Sequence, residues 1–460
     1  MPQLTSLPCE VIAIILGDLD NLQDLMPVLL SCRHVHSSFL ESKSRILRTI
    51  VQRQVTPDLL PYSMAVAEAY EVSRQPGPVT DAWETAALAS AKRVLDPLFN
   101  EPSQLASQLR SLPADRVIKM GLMHNMVTRW ANDFAADAWS LLGTNPGVSA
   151  SALGSLSLSP TEHFMFRRAF YLMELFITLF PGIDEKHGHH FFSELAPWEI
   201  EQLVCVHDFL EKKFRQASLE FMMHDVGFWK LGVDYLSLGS DNDCVQDWLS
   251  QGLEFVDRIA NEENYERKRD LLWKTIISDS SRKLYIQSSL MDALWGRNNF
   301  GSLAEYREHK MEAKTPRHAL YNHDVNAGPR TTWVWLVNHE EDSFTHSSSR
   351  QPGLDSAGLK EQGYVMWDLD RIRRYDLLRM FETTPEMSSH SLEDDDDACD
   401  ESLASCDERQ EIWLRGGSGY WSEGDYSRIV WGEGGNPGVP FDSSHITIGS
   451  SFTLPGQFVT

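Results

Sequence analysis

The 460-residue chain lacks several features that mark secreted, membrane-bound or disulfide-rich proteins. Its six cysteines are scattered, mostly in apolar helical surroundings, which indicates reduced core thiols and no disulfide framework. No apolar run reaches membrane-spanning length, the N-terminus has no signal-peptide layout, and no Asn-x-Ser/Thr acceptor occurs. We therefore expect a soluble intracellular protein, located in the cytoplasm, the nucleus or both.

An excess of basic residues is also missing. The chain has 41 Lys and Arg against 66 Asp and Glu, which gives a formal net charge of −25. Affinity for DNA or RNA comes largely from clustered Lys and Arg that contact phosphates, and anionic membranes attract the same residues. The charge balance therefore disfavours nucleic acid and membrane surfaces as partners.

Motifs of catalysis and of metal binding are lacking as well. The glycines of Gly416–Gly419 do not have the spacing of a nucleophile elbow, and no Lys-Ser/Thr follows Gly432–Gly438 as a phosphate loop requires. His187, His189 and His190 follow a Pro-Gly pair in a predicted surface loop, without a second ligand cluster at zinc spacing. The sequence therefore predicts no enzyme, no cofactor and no metal site.

Long segments of helical periodicity are what the chain does contain. Apolar residues recur with a period near 3.6 from Glu10 to Trp295, and no sustained period-2 alternation appears. Thr161–Phe180 is apolar nearly all round after Arg168, which predicts a central buried helix. Thr332–Val337 is too short for periodicity to decide between a strand and a buried helical turn. The sequence predicts a mainly α fold of two or more packed units with a Gly-rich, largely irregular C-terminal region.

Leu4–Arg53 has the pattern of three short helices. Pro8 suits a first helical position, and Glu10 lies in the turn that favours negative charge. Pro27 falls inside the second apolar set, so it must lie in the first turn of that helix or kink it. Helices so short and apolar must bury against each other, against the rest of the chain or against another protein.

The order of residues in this stretch resembles the F-box. The matching pieces are Leu7-Pro8-x-Glu10-Val11, Ile15-Leu16-x-x-Leu19, Asp24-Leu25 and Ser31-Cys32-Arg33. Members of that family use a three-helix module to dock on the Skp-type adaptor of cullin–RING ubiquitin ligases. The adaptor-binding residues implied by the resemblance are Leu7, Pro8, Val11, Ile12, Ile15, Leu16, Leu25, Val28, Leu29 and Cys32.

Three later segments are similar to the shared body of a large family of filamentous-fungal (ascomycete) F-box-like proteins. They are Ala196–Leu210, Gly363–Asp368 and Gly419–Asp425. The resemblance thereby extends over most of the chain, but it implies no substrate.

The resemblance implies the first of five regions, and changes in composition predict the other four. Residues 1–55 form the F-box-like adaptor-binding module, 56–313 a helical body domain, and 314–381 an irregular linker plus a helix that packs on the body. Residues 382–411, rich in Ser, Asp and Glu, are predicted to be disordered because they lack the apolar content to offset ordering entropy. Residues 412–460 form the Gly- and aromatic-rich C-terminal region.

Two functions from different classes fit this pattern. In the first, the chain is the substrate-receptor (F-box) subunit of an SCF-type cullin–RING ligase and binds an unknown protein target through its helical body. In the second, it is a non-catalytic helical scaffold whose F-box is degenerate or non-functional. Leucine-rich and WD repeats, the usual substrate-binding repeats, are absent from the sequence.

Overall fold

A computed structural model gives the fold of the chain. It describes residues 7–73, 81–145, 153–180, 185–228, 243–277, 323–339, 357–384 and 396–432, together with positions 286, 289, 290 and 293. The chain divides into two compact units, the first formed by Met1–His207 and Ser289–Glu386 and the second by Asp208–Ser288 and Met387–Thr460. The predicted body domain 56–313 is therefore split between the two units, and the N-terminal helices belong to the first.

Three helices form the start of the first unit, as the sequence predicts: α1 (Cys9–Gly17), α2 (Leu22–Ser31) and α3 (Arg33–Gln54). We call them together the N-terminal module. The side chain of Asn21 caps α2 by accepting a 2.8 Å hydrogen bond from the backbone N–H of Gln23. The helix α2 continues through Pro27 at its sixth position, so the first-turn alternative is wrong. The irregular residue of the module is Ser42 in α3, with φ −121° and ψ 17°.

The rest of the first unit is also helical. Its further elements are α4 (Leu60–Ser73), α5 (Asp81–Asn100), α6 (Pro102–Ser107), a 3₁₀ turn (Gln108–Ser111), α7 (Ala114–Leu142), α8 (Pro160–Leu179), α9 (Glu185–Phe192) and α10 (Pro197–His224), of which residues up to His207 belong here. The last four are α14 (His323–His339), α15 (Ala357–Glu361), α16 (Leu369–Tyr375) and α17 (Leu377–Phe381).

The core of the first unit is organised around α8. Ser159 and Glu162 form a capping box at its N-terminus, and the helix is buried over most of its length. Rings from three parts of the chain meet beside it: Phe166 lies 5.5 Å from Phe134 and 5.4 Å from Trp367 between ring centroids. The prediction of a central buried helix is confirmed.

The region 314–381 differs from the predicted linker plus one helix. Its described part contains the four helices α14 to α17. Thr332–Val337 lies within α14, where Trp333, Leu336 and Val337 are buried at helical spacing. The short apolar run is therefore a buried part of a helix and not a strand.

The second unit contains the remainder of α10 and six further elements. They are α11 (Asp243–Leu249), α12 (Leu253–Asn261), α13 (Tyr265–Ile277), α18 (Asp396–Leu414), β1 (Gly417–Gly419) and β2 (Ile429–Trp431). The two strands pair antiparallel with Ser418 opposite Val430. Gly416, just before β1, and Gly419, the last residue of β1, have positive φ, which glycine adopts without a steric penalty.

The helix α18 covers 396–411, the larger part of the segment 382–411 that composition predicts to be disordered. Within it Ser405, Arg409 and Ile412 are buried at helical spacing. The guanidinium of Arg409 donates to the backbone oxygen of Asp225 at 3.2 Å, and the Ser405 hydroxyl donates to the backbone oxygen of Met223. These hydrogen bonds attach α18 to the backbone of Met223 and Asp225, although its acidic composition alone predicts disorder. Residues 385–395 lie outside the described residues, as do 433–460 of the C-terminal region.

The mainly α fold is confirmed. The described residues form eighteen α-helices against two strands of three residues each. Among the helices in the described ranges, none combines the length and the apolar composition needed to cross a bilayer.

Candidate docking surface

The first helix packs on the third through one face. Ile12, Ala13, Leu16 and Gly17 of α1 are buried, and the helix lies against α3. A Cβ atom on Gly17 would lie 3.5 Å from the Thr49 methyl carbon, which is ordinary contact distance. Close packing of α1 on α3 thus uses the residues at 12, 13, 16 and 17 and leaves the opposite face uncovered.

That opposite face of α1 is apolar. Val11, Ile14 and Ile15 lie at positions i, i+3 and i+4, so they share one side of the helix. Ile14 is 55% exposed and Ile15 44% exposed, and Val11 is also exposed. We call these three residues the α1 stripe.

The second helix has a similar division. Leu22, Leu25 and Leu29 are buried, whereas Met26 and Leu30, one turn apart, are 59% and 77% exposed. We call Met26 and Leu30 the α2 stripe. Pro27 beside them is also exposed, so the ring does not add to the core of the module.

Exposed large hydrophobic residues are concentrated in the N-terminal module. Of the nine among the described residues, six lie on α1, α2 and α3, and the others are Leu122, Tyr426 and Val430. Five of the six form the α1 and α2 stripes, and the sixth is Leu40 of α3. Large apolar side chains that share an exposed helix face, as in the α1 and α2 stripes, mark interaction sites in soluble proteins. The six are Val11, Ile14, Ile15, Met26, Leu30 and Leu40.

The ten predicted adaptor-binding residues divide into three groups. Pro8, Val11 and Ile15 are exposed, and Leu7, Val28 and Cys32 are partly buried. The remaining four pack in the core of the module, and their part in adaptor binding stays a prediction: Ile12, Leu16, Leu25 and Leu29.

Four exposed residues are missing from the prediction. Ile14, Met26, Leu30 and Leu40 lie on the uncovered faces, although their apolar character is visible in the sequence. Helical spacing groups Ile14 with Val11 and Ile15, and Leu30 with Met26. Spacing identifies the stripes, but only the position of neighbouring helices decides which stripe is buried.

A cluster of three amides fixes the module to α7. The side chains of Asn21 and Asn125 exchange hydrogen bonds of 3.1 and 2.7 Å. Gln54 donates to the side-chain oxygen of Asn125 at 2.5 Å and to the backbone oxygen of Gly121 at 2.8 Å. These partly buried amides satisfy one another and thereby tie together residues before α2, at the end of α3 and in α7. We call Asn21, Gln54 and Asn125 the amide cluster.

Gly121 allows the same close approach. A Cβ atom at this position would lie 2.3 Å from Cδ1 of Leu22 and 3.1 Å from Oε1 of Gln54. A larger residue at position 121 would therefore force the Leu22 side chain at the start of α2 to move. The exposed stripes are presented on a module whose other side is packed against the body of its unit.

The three histidines considered as metal ligands lie in a helix, whereas the sequence predicts a surface loop. His187, His189 and His190 belong to helix α9 and not to a loop. The side chains of His187 and His189 lie outside the described residues, so their geometry adds nothing to the metal prediction.

Comparison of the chain with family models, curated proteins and solved structures finds no match in any of the three. The features that indicate a function are therefore the order of residues in the N-terminal helices and the exposed apolar stripes.

Proposed function

We propose that this chain is a substrate-receptor subunit of an SCF-type cullin–RING ubiquitin ligase. The N-terminal module binds a Skp-type adaptor, and the helical body binds a protein target. The observation that carries the proposal is the concentration of exposed hydrophobic residues on α1, α2 and α3. These are the helices whose residue order resembles the F-box.

The stripes have the chemistry of a protein-binding surface. Burying one large aliphatic side chain is worth about 1.5–3 kcal/mol, so a few such residues supply most of the affinity of an interface. Because their side chains are already solvated in the free protein, their removal costs folding little, on the order of 0.5 kcal/mol. Binding and folding are therefore separable at these positions.

A second function is favoured by the packing of the module on α7. The amide cluster and the contact at Gly121 make α1 to α3 an integral part of the first unit. A non-catalytic helical scaffold with a degenerate F-box would have the same packing. It would use its exposed stripes for a different protein or for none.

Titration of the purified full-length chain with a purified Skp-type adaptor separates these functions. We expect calorimetric binding by the wild type and loss of binding by the α1 variant Ile14→Ser/Ile15→Ser. The α2 variant Met26→Ser/Leu30→Ser should lose binding as well. Leu122→Ser and Val430→Ser remove equally exposed hydrophobics outside the module and should bind as the wild type does.

Thermal melting of the same proteins excludes misfolding as the cause. The stripe variants should melt with the wild type, whereas Leu16→Ala deletes a buried side chain and should cost about 2–5 kcal/mol. A wild-type chain that does not bind an adaptor of proven competence overturns the receptor proposal. That outcome, with a normal melting curve, supports the scaffold.

A further inference from the structure

A second candidate site lies between α7 and α8, away from the stripes. His163, Arg167 and Tyr171 follow one another at intervals of four in α8, so they share one face of that helix. His124 of α7 faces them: its Nδ1 lies 2.9 Å from the Tyr171 hydroxyl oxygen. Arg167 and His163 are partly buried, whereas His124 and Tyr171 are buried.

Among the residues that the structure describes, none offers Arg167 a counter-charge. Its guanidinium makes neither a hydrogen bond nor an ion pair with any residue that the structure describes, and its buried Nε has no partner. Burial lowers the pKa of Arg167, which is the sign of a cation held at some cost. The neighbouring Arg168, by contrast, bonds to Glu199 at 2.8 Å and to Gln202 at 3.0 Å.

The surrounding groups do not neutralise the charge. Burial and the positive charge of Arg167 lower the pKa of His124 to about 4, so His124 is neutral at physiological pH. Burial and Arg167 also lower the pKa of His163. Glu162 raises the pKa of His163, but both of its carboxylate oxygens bond to Arg371. One positive charge with unused donors remains on this face of α8.

We propose that His163 and Arg167 form a binding site for a carboxylate group. One guanidinium balances one carboxylate charge, and its planar fork of N–H donors matches the two carboxylate oxygens. The imidazole of His163 adds a further donor one turn away. The site is independent of adaptor binding, because none of its residues belongs to the stripes.

Proton NMR of the His163 ring in the full-length chain tests this site. The probes are acetate, which represents a free small carboxylate, and the peptide acetyl-Gly-Glu-Gly-amide, which represents a side-chain carboxylate. A bound negative charge favours the imidazolium, so either probe should raise the pKa of His163. The probe that binds more tightly identifies the source of the ligand, and inorganic phosphate is the competitor.

Arg167→Gln should weaken binding by about ten- to a hundredfold, the range of a charge-assisted hydrogen bond. Because the substitution removes the positive charge beside His163, it should raise the pKa of His163 in the free protein. Addition of either probe should then cause no further rise in that pKa. Arg167→Lys keeps the charge without the fork and should retain a weaker response. Arg373→Gln, at an exposed arginine of α16, should respond as the wild type does.

Circular dichroism of each variant verifies that it is folded. The proposal is overturned if neither carboxylate moves the His163 resonance, or if phosphate binds more tightly than both. It is equally overturned if folded Arg167→Gln or Arg167→Lys responds as strongly as the wild type. An intact adaptor titration alongside a failed carboxylate titration would leave the proposed function standing.

Discussion

Replacing Arg371 by methionine should destabilise the first unit strongly. The guanidinium of Arg371 in α16 bonds to Glu162 in α8 at 2.5 Å through Nε and at 2.7 Å through Nη2. Glu162 is fully buried and Arg371 is 9% exposed. The same guanidinium carbon lies 4.8 Å from the Trp139 ring and 5.3 Å from the Trp367 ring. Arg371 thus joins two helices that are far apart in the sequence.

The magnitude follows from the burial of Glu162. Removing one partner of a buried ion pair costs about 3–5 kcal/mol, because the remaining charge loses its compensation. Two backbone N–H groups, of Ser159 at 2.9 Å and of Asp368 at 3.3 Å, still donate to Glu162 and keep the loss within that range. Arg371→Met should therefore lower the free energy of unfolding by about 3–5 kcal/mol.

Urea titration followed by circular dichroism measures this loss, with the transitions of the two units fitted separately. The matched control is Arg373→Met in the same helix, where the side chain is exposed and the expected change is within about 0.5 kcal/mol. Glu162→Gln/Arg371→Met should be less destabilised than the two single variants together, with a coupling of about 1–3 kcal/mol. An additive cycle, or an Arg371→Met protein as stable as the control, refutes the reasoning.

Three further outcomes are expected. Gly121→Leu forces α7 against Leu22 and should cost about 1–3 kcal/mol in thermal melts, so an unchanged melting temperature would contradict the packing. Burial lowers the pKa of His124 to about 4 from 6.5, so the unfolded chain takes up this proton first and stability falls as the pH drops from about 6.5 towards 4. Urea titrations at about pH 7.5 and pH 5 should show that the free energy of unfolding falls by about 2 kcal/mol between the two. His124→Gln should show a smaller fall, and an equal fall in both proteins would count against this effect of His124. Limited proteolysis of the wild type should spare the part of α18 around Ser405, whereas the Arg409→Ala variant should be cleaved there. Ready cleavage of the wild type at this part of α18 would support the disorder that composition predicts.

Local signals in the sequence account for much of the fold. Pro8 and the apolar sets that follow it predict three helices, and α1 to α3 are present. The apolar stretch from Thr161 predicts the central helix α8. Periodicity and capping depend on residues a few positions apart, so helices of this kind can be predicted without knowledge of the fold.

The misses come from partners that lie far away in the chain. Composition predicts disorder for 382–411, but Arg409 in this segment donates a hydrogen bond to the backbone oxygen of Asp225 and lies on the buried face of α18. Leu16 and Ile15 look equivalent in sequence, and only the position of α3 makes one buried and the other exposed. The same holds for the candidate docking surface, whose apolar residues are predictable although their division into core and surface is not.

The bond between Glu162 and Arg371 also has a consequence during protein synthesis. The two residues are 209 positions apart. At about 5–20 residues per second, a ribosome needs about 10–40 s after Glu162 to produce Arg371. Until then α8 cannot complete its core, and the nascent chain carries the apolar rings around Phe166 without Trp367 to cover them. Chaperone demand should therefore be highest in that interval and should end when the segment containing α16 leaves the exit tunnel.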